Sequence, residues 1–386
     1  MLKFSEPIYI TKPILPSLES FSQELDSVWQ SKRLSNHGPK HESLETQLKN
    51  YLKIPFLSLF NNGTIALMGA FRALGLKGEV ITTPFTFPAT ISSLEWMGLQ
   101  PVFADIDPLT FNLDPARIER AITPQTSAIL AVHVFGKPCP VEELEFLAKK
   151  YKLKLIFDGA HAFGLEINSR GIGNWGDMTM YSFHPTKLFH TAEGGALGFR
   201  DPDLYSKLYL LKNFGINNEE SVTLSGINGK MNEIQASLGL LVLKMMDQEL
   251  MKRKTLEEIY SKELAAIPGL NLPVIDTNVR SSYQYYVIKI NEKEFGLSRD
   301  QLHEELKKYN LFCRKYFYPL CSSYDHLKHL PSAQFRNLPH AHQVVSEVLT
   351  LPFYGEFGVE GVLRVVEIIK HIQKTNGQSK KLWITQ

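Results

Sequence analysis

Seven short apolar runs, separated by turns and helical patterns, fill the chain from about Leu57 to Arg200 and constrain its fold more than any other feature. The runs read LSLF, VITTPFTF, VFADID, AILAVHVFG, LKLIFDGAH, MTMYSFH and GALGFR. The first five are continuously apolar, which is typical of strands covered by helices on both faces. The pattern predicts an α/β fold whose mainly parallel seven-stranded sheet is sandwiched by helices.

The region after this sheet predicts a second, smaller unit. A long helical stretch runs from Asn232 to roughly Ala266, followed by a strand (SYQYYVIKI), a helix (SRDQLHEELKKYN) and a closing helix near 358–373. With 386 residues, the chain also exceeds the usual limit of about 250–300 residues for a single core. We therefore expect a large domain over residues 1–245 and a small C-terminal α+β domain over residues 246–386.

Charge and hydropathy exclude two classes of partner. Lysine and arginine exceed aspartate and glutamate by only 2, from 42 and 40 residues, so the basic surface of a nucleic-acid binder is not expected. No stretch approaches the roughly 20 apolar residues of a membrane span, and the first residues lack the apolar run of a signal peptide. The sequence predicts neither a nucleic-acid nor a membrane partner.

Cysteine and histidine usage indicates a reducing compartment and no metal site. Cys139, Cys313 and Cys321 form neither an even set nor a CxxC pair, so we expect no disulfide framework and a cytoplasmic location. The histidines near the predicted strand ends lack the HxxxH spacing of a zinc site; they are His133, His161, His184 and His190.

The segment LFNNGTIALMGAF is a candidate anion site. Gly63 lets the backbone approach an anion closely, Thr64 offers a hydroxyl, and the free N–H groups of the new helix point the same way. A phosphate suits this position. The alternative is an ordinary strand-to-helix turn with Thr64 as its N-cap.

Asp158 closes an apolar strand in LIFDGAHAFG, where ligands of open α/β sheets bind. A carboxylate there can hold the protonated pyridinium nitrogen that makes pyridoxal phosphate (PLP) an electron sink. The alternative is a buried aspartate that caps a neighbouring loop.

Lys187, in YSFHPTKLFHTAEGGALGF, is the most informative residue. It follows a strand and precedes a sharp Gly194-Gly195 turn, so its amine is expected inside the protein, where lysine is rare without a partner. Desolvation lowers an amine's pKa, and a neutral amine forms a Schiff base with an aldehyde such as PLP. Ser182, five positions earlier, can reach the same phosphate as Thr64. The alternative is a surface-loop lysine.

Two phenylalanines follow another strand in TTPFTFPAT. Either Phe85 or Phe87 can lie flat on an aromatic cofactor, and either can instead belong to the core.

Taken together, these residues resemble the DegT/DnrJ/EryC1/StrS family of sugar aminotransferases, which have the type I fold of PLP-dependent transferases. The resemblance covers nearly the whole chain, through LSNHGPKHESLETQL, NNGTIAL, TPFTFPAT, FADIDPLTFNLD, DGAHAFG, SFHPTKLFHTAEGGA, GINGKMNEIQASLG and LPFY. Within the family, SFHPTKLF is most similar to the viosamine-type (VioA-like) branch, which aminates C4 of dTDP-4-keto-6-deoxy-D-glucose.

The resemblance implies a role for each matching residue. Lys187 would be the catalytic cofactor lysine, Asp158 the pyridinium partner and His161 a contact to the ring hydroxyl. The other implied cofactor contacts are Gly63, Thr64 and Ser182 at the phosphate, Phe87 on the ring and Asn228 at the partner subunit's phosphate. The expected enzyme is thus a homodimer with shared active sites. It would move an amino group from L-glutamate to a nucleotide-linked keto sugar for a surface polysaccharide such as the lipopolysaccharide O-antigen.

Two residues depart from the family pattern. Lys230 stands where many relatives have arginine, and Cys321 replaces a histidine of the small-domain motif. Lys230 keeps the charge but loses the two-pronged donor of arginine. Together with Arg33, it is a candidate cation for the substrate diphosphate.

Other functions remain open at this point. The amination can occur at C3, or the sugar can carry UDP or GDP. A PLP-dependent sugar dehydratase is a second reading, although such relatives have histidine in place of Lys187. A non-catalytic regulatory homologue is a third, against which the intact Lys187, Asp158, Thr64 and Ser182 argue.

Overall fold

The computed structural model of the protein describes residues 2–273 and 278–384, with side chains through residue 375. The strands are β1 (Ile8–Tyr9), β2 (Phe56–Phe60), β3 (Glu79–Thr82), β4 (Gln100–Phe103), β5 (Thr126–Val132), β6 (Lys154–Asp158), β7 (Glu166–Ile167), β8 (Arg170–Gly171), β9 (Met178–Ser182), β10 (Gly195–Phe199), β11 (Ile216–Asn218), β12 (Ser221–Val222), β13 (Leu270–Asn271), β14 (Val279–Arg280), β15 (Tyr286–Ile290), β16 (Leu311–Phe312) and β17 (Val348–Leu351). The helices are α1 (Leu18–Ser31), α2 (Pro39–Tyr51), α3 (Gly63–Leu74), α4 (Pro88–Trp96), α5 (Pro115–Ala121), α6 (Val141–Tyr151), α7 (Asp203–Leu211), α8 (Glu233–Leu264), α9 (Glu292–Phe295), α10 (Arg299–Lys307), α11 (Pro339–Glu347) and α12 (Gly358–Ile384).

The seven predicted apolar runs form one seven-stranded sheet in the order β2-β10-β9-β6-β5-β3-β4. Strands β9, β6, β5, β3 and β4 run parallel to one another, whereas β10 is antiparallel to both of its neighbours, β2 and β9. The predicted fold class, an α/β fold with a mainly parallel seven-stranded sheet, is confirmed. The carboxyl ends of the six co-directional strands therefore meet at one edge, where β10 begins.

Helix α3 shows why the sheet is covered. Its inward positions carry mostly small or apolar side chains, and Ala66, Leu67, Ala70 and Phe71 are at most 1% exposed. Burial of a leucine or phenylalanine side chain stabilises the fold by about 1.5–3 kcal/mol. The helix ends at Gly75, whose positive φ of 67° suits a residue without Cβ.

Helix α8 joins the two halves of the chain without a break. It has 32 residues and therefore spans about 48 Å. Asn232 begins it with a capping box, in which side chain and backbone of Asn232 and Gln235 bond reciprocally. Leu250 packs in the core beneath the sheet, and Leu256 packs in the C-terminal core. The domain boundary at residue 245, inside this helix, stays a prediction.

The C-terminal core contains an antiparallel three-stranded sheet in the order β13-β15-β17. The start of the chain also packs here. Strand β1 pairs in parallel with β16, the amide of Phe4 donates to the carbonyl of Tyr309 at 3.1 Å, and Phe4 is buried. The first residues thus contribute to the C-terminal core, although the sequence pattern had grouped them with residues 1–245.

The closing helix is longer than its sequence pattern indicated. The periodicity predicted a helix near 358–373, and α12 continues to Ile384. Within the described ranges, no helix combines the length and the apolar character needed to cross a membrane.

Candidate active site

A cavity of about 540 Å³ lies at the carboxyl edge of the sheet. Its walls come from the loops that follow β2, β3, β6 and β9, together with residues of the C-terminal half. The lining residues are Asn62, Gly63, Thr64, Ile65, Thr86, Phe87, Ala89, Thr90, Val132, Asp158, Ala160, His161, Met180, Ser182, His184, Thr186, Lys187, Glu193, Tyr285, Tyr316 and Phe317. Seven of the eight sequence-predicted cofactor residues are among them. Asn228 is the exception.

Lys187 lies half-buried in the cavity wall, in the loop between β9 and β10. Burial lowers the pKa of its amine from 10.5 to about 8, and the nearby Asp158 carboxylate opposes this shift. Roughly one amine in ten is then neutral at pH 7, against fewer than one in a thousand at the ordinary lysine pKa. The surface-loop alternative is therefore excluded by the position of this side chain.

Asp158 is a buried carboxylate that lines the cavity and accepts two hydrogen bonds. It is 4% exposed. The hydroxyl of Thr90 donates to one carboxylate oxygen at 2.7 Å, and the amide of Ala160 donates to the other at 3.0 Å. Burial raises the pKa of Asp158, while these two hydrogen bonds favour its charged form. A cation arriving from the cavity would further stabilise that charge.

The turn from β2 into α3 forms another wall. Asn62 is the N-cap, because its side-chain oxygen accepts from the amide of Ile65 at 2.8 Å. The alternative reading of Thr64 as N-cap is therefore wrong, and the Thr64 hydroxyl is left for the cavity. Gly63 and Thr64 occupy the first turn, where amides have no carbonyl partner within the helix.

Packing behind this turn is tight at Gly63 and leaves no room for a Cβ atom at Gly195. A Cβ atom on Gly63 would lie 3.1 Å from the sulfur of Met180 and 3.2 Å from the Cβ of Ser182. A Cβ atom on Gly195, which pairs with Phe60 and Ser182 in the sheet, would lie 2.6 Å from the Asn62 carbonyl carbon and the Gly63 nitrogen. These glycines allow α3 and β10 to approach each other at the edge of the cavity.

The two candidate phenylalanines are separated by the structure. Phe85 is fully buried and packs on Phe111 and Phe317, so it belongs to the core. Phe87 is 53% exposed and lines the cavity. A flat ligand entering the cavity meets Phe87.

His161 is held in an aromatic setting. Its ring lies parallel to Phe317, with centroids 5.7 Å apart, and meets Tyr285 edge-on at 5.2 Å. Burial lowers the pKa of His161 well below its usual value, with the Lys187 charge adding to the effect. The ring is therefore neutral near pH 7, and its Nδ1 has no hydrogen-bond partner among the described residues.

The predicted substrate and partner-site residues lie outside the cavity of their own chain. Asn228 is exposed, and its side-chain oxygen accepts from the Lys230 amine at 3.0 Å. Arg33 donates to the carbonyls of Asn36 and His37 at 3.0 and 2.9 Å. Their roles stay predictions.

Cys321 is fully buried and packs against the loop that carries Phe87. Its amide donates to the carbonyl of Pro84 at 3.0 Å, and its thiol donates to the carbonyl of Thr86 at 3.4 Å. Burial raises the pKa of the thiol to about 11. Cys321 therefore anchors this loop, and its thiol stays protonated near pH 7.

Sequence reasoning missed several residues of the cavity. Thr90 follows Phe87 within one helical turn, and this spacing could have indicated a hydroxyl beside the cofactor. Tyr285, Tyr316 and Phe317 come from distant parts of the chain and carry no local signal. Among the described residues, no group of three or more histidine, cysteine or acidic side chains is arranged to hold a metal ion.

Comparison with known proteins gives consistent similarities over most of the chain. Residues 17–370 match the DegT/DnrJ/EryC1/StrS aminotransferase family. The chain is 43% identical over 368 residues to a dTDP-4-amino-4,6-dideoxy-D-glucose transaminase of Shigella dysenteriae, covering 95% of this chain and 100% of that protein. It resembles the crystal structure of DesI in the presence of its TDP-sugar product, with a TM-score of 0.92, 33% identity and coverage of 99% and 96%. A sugar aminotransferase of Streptococcus pneumoniae in its PLP form gives a TM-score of 0.88, 26% identity and coverage of 96% and 99%.

Proposed function

The chain belongs to the DegT/DnrJ/EryC1/StrS family of PLP-dependent nucleotide-sugar aminotransferases, and from this membership we propose its reaction. It transfers the amino group of L-glutamate to C4 of a nucleotide-linked 4-keto-6-deoxy sugar. The observation that carries the proposal is the pairing of Lys187 and Asp158 in one cavity. That cavity supplies an amine of lowered pKa and a buried carboxylate at the carboxyl edge of the sheet.

The residues of the cavity fit PLP at both ends. The first-turn amides of α3, with the hydroxyls of Thr64 and Ser182, would hold the phosphate, since helix N-termini favour anions. Asp158 would accept a hydrogen bond from the protonated ring nitrogen. Phe87 would stack on the ring, and His161 would contact its hydroxyl.

Bound PLP supplies an electron sink that stabilises negative charge on the reacting carbon. Lys187 would hold the cofactor through its Nζ atom, and its neutral amine would carry a proton between the substrate carbon and the C4′ carbon of the cofactor. Asp158 would stabilise positive charge at the ring nitrogen, since its two hydrogen bonds favour the carboxylate form. His161, neutral by burial, adds no competing charge.

The acceptor is proposed from the relatives. The Shigella dysenteriae enzyme is named for dTDP-4-amino-4,6-dideoxy-D-glucose, and DesI was solved with a TDP-sugar product. The corresponding acceptor is dTDP-4-keto-6-deoxy-D-glucose. The enzyme would act in the cytoplasm, and its product would be used for a surface polysaccharide. Lys230 and Arg33 are the proposed cations for the substrate diphosphate.

The proposed active form is a homodimer with shared sites. Asn228 lies exposed and outside the cavity of its own chain, which supports a contact to the cofactor phosphate of a second copy. The exposed apolar side chains nearby, Phe214, Val222 and Ile227, would be buried by such a partner.

The deciding experiment is a product analysis. Purified protein with PLP, L-glutamate and dTDP-4-keto-6-deoxy-D-glucose should yield a sugar aminated at C4, identified by NMR. UDP- and GDP-linked 4-keto-6-deoxy sugars serve as matched acceptors and should react more slowly. Amination at C3, or a faster reaction with another nucleotide, would overturn the substrate assignment.

A further inference from the structure

One side chain bonds to the backbone on both sides of Lys187. The amide N–H of Leu188 donates to the side-chain oxygen of Gln284 at 2.8 Å. The side-chain nitrogen of the same glutamine donates to the carbonyl of Thr186 at 3.0 Å. Gln284 is 1% exposed; its bond to Leu188 is buried, and its bond to Thr186 is partly buried.

The backbone at Lys187 depends on such contacts because it lies in a loop. Residues 183–194 belong to neither a helix nor a strand of the sheet, and the amide of Lys187 itself donates to the carbonyl of His184 at 2.9 Å. The glutamine amide fits in one orientation only. Reversing it would place two donors together at Leu188 and two acceptors together at Thr186.

Gln284 is held in turn by a buried ion pair. The guanidinium of Arg253, 2% exposed, donates to the carbonyl of Tyr283 at 3.2 Å and bonds the Glu249 carboxylate at 2.6 Å. Both charged residues belong to α8. The glutamine is therefore fixed to the long helix and not merely to a neighbouring loop.

The residues beside Gln284 contact the same cavity. The hydroxyl of Ser282 donates to the carbonyl of His161 at 2.6 Å. The ring of Tyr285 lines the cavity and meets the His161 ring edge-on. The segment 282–285 thus joins α8 to two sides of the site, through Lys187 and through His161.

We propose that Gln284 is a positioning residue that fixes the Lys187 backbone through both flanking peptide groups, so that the amine stays desolvated in the cavity wall. The proposal rests on the proposed function, in which Lys187 carries the cofactor. Gln284 itself does not line the cavity. Its effect on the reaction passes through the lysine.

Two uncharged substitutions test this role. Gln284→Met keeps the length of the side chain and removes both hydrogen bonds. Gln284→Asn keeps the amide on a shorter side chain, which cannot reach both peptide groups together. The matched control is Gln373→Met, because Gln373 also bonds two backbone carbonyls, those of Pro268 and Phe295 at 2.9 and 3.4 Å, away from the cavity.

The first readout is the pKa of Lys187 in cofactor-free protein. It is obtained from the pH dependence of Lys187 acetylation, followed by mass spectrometry. Loss of the two hydrogen bonds of the Gln284 side chain should let water reach the Lys187 amine. The pKa of this amine should then rise from about 8 toward the ordinary lysine value. We expect the larger rise in Gln284→Met, a smaller one in Gln284→Asn and none in Gln373→Met.

The second readout separates kcat from KM in the PLP-bound enzyme. A misplaced amine should lower kcat by about tenfold or more, since small displacements of a reacting group have large effects on rate, while KM for glutamate changes little. A folded Gln284→Met or Gln284→Asn protein with unchanged lysine pKa and unchanged kcat would overturn the proposal. Wild-type protein that fails to attach PLP to Lys187 would instead overturn the proposed function, and the acetylation comparison would still decide the role of Gln284.

Discussion

At Lys187, removal of the amine should abolish turnover and leave the fold intact. The side chain lies half-buried in a cavity wall and contributes no core packing comparable to that of the buried apolar clusters. Lys187→Ala should therefore show no detectable amino transfer in a coupled assay and an unchanged circular dichroism spectrum. Lys150→Ala, which alters an exposed lysine, is the control and should react at the wild-type rate. Full activity in Lys187→Ala would refute the assignment of the cofactor lysine.

The charge of Asp158 should matter as much as its shape. Asp158→Asn keeps the size of the side chain but cannot hold positive charge on the ring nitrogen, so we expect a loss in kcat of about 100-fold or more. Thr90→Val removes only the hydroxyl that donates to Asp158 and should cause a smaller loss. Steady-state kinetics check both. Normal turnover in Asp158→Asn would mean that this carboxylate is structural.

The lowered pKa of Lys187 also predicts a pH dependence of stability. The amine has a pKa of about 8 in the folded, cofactor-free protein and 10.5 when unfolded. The unfolded state therefore binds more protons between these values, and this lysine destabilises the fold below pH 8 by at most about 3 kcal/mol. Lys187→Met should raise the free energy of unfolding at pH 7, and the gain should shrink as the pH rises toward 10.5. Urea unfolding of both proteins at pH 7 and pH 9.5 measures this gain in the free energy of unfolding. An equal gain at the two pH values would contradict the expectation.

Among the elements, β10 should be sensitive to a single added methyl group at its first residue. In Gly195→Ala, the new Cβ meets the Asn62–Gly63 peptide at 2.6 Å, and backbone atoms cannot move aside cheaply. We expect a loss of about 1–3 kcal/mol in the free energy of unfolding, together with weaker PLP binding. Gly198→Ala, in the same strand, meets first the terminal methyl of Ile54 at 2.9 Å and should be milder. Equal effects of the two substitutions would argue against the close approach at Gly195.

The elements show what the sequence could and could not predict. The seven strands were found because their apolar runs record burial on both faces. The antiparallel direction of β10 could not be predicted, because GALGFR carries no signal for strand direction. Phe85 and Phe87 share the same local pattern, and only their packing distinguishes core from cavity. Tyr285 joins the site although it lies 98 residues after Lys187 in the chain, and no local spacing encodes this proximity.

For the whole molecule, the proposed sharing of sites predicts complementation between two defective chains. Lys187→Ala lacks the cofactor lysine, and Asn228→Asp places a negative charge where the partner's phosphate is expected. Each homodimer should be nearly inactive. A mixed dimer should contain one site with an intact lysine from one chain and an intact asparagine from the other.

Activity should therefore return when the two variants are unfolded together and refolded as a mixture. The measurement is the rate of the mixture against that of each variant refolded alone. Sites built from a single chain would give no gain on mixing. A fully active monomer in sedimentation would also contradict the shared site.

The pairing of β1 with β16 has a consequence for biosynthesis. Phe4 is synthesised some three hundred residues before its neighbours Tyr309 and Leu311. The seven-stranded sheet ends at Phe199 and can assemble while translation continues, because domains fold as units during synthesis. The segment around Phe4 and β1 therefore stays unpaired until the last third of this sequence has been made.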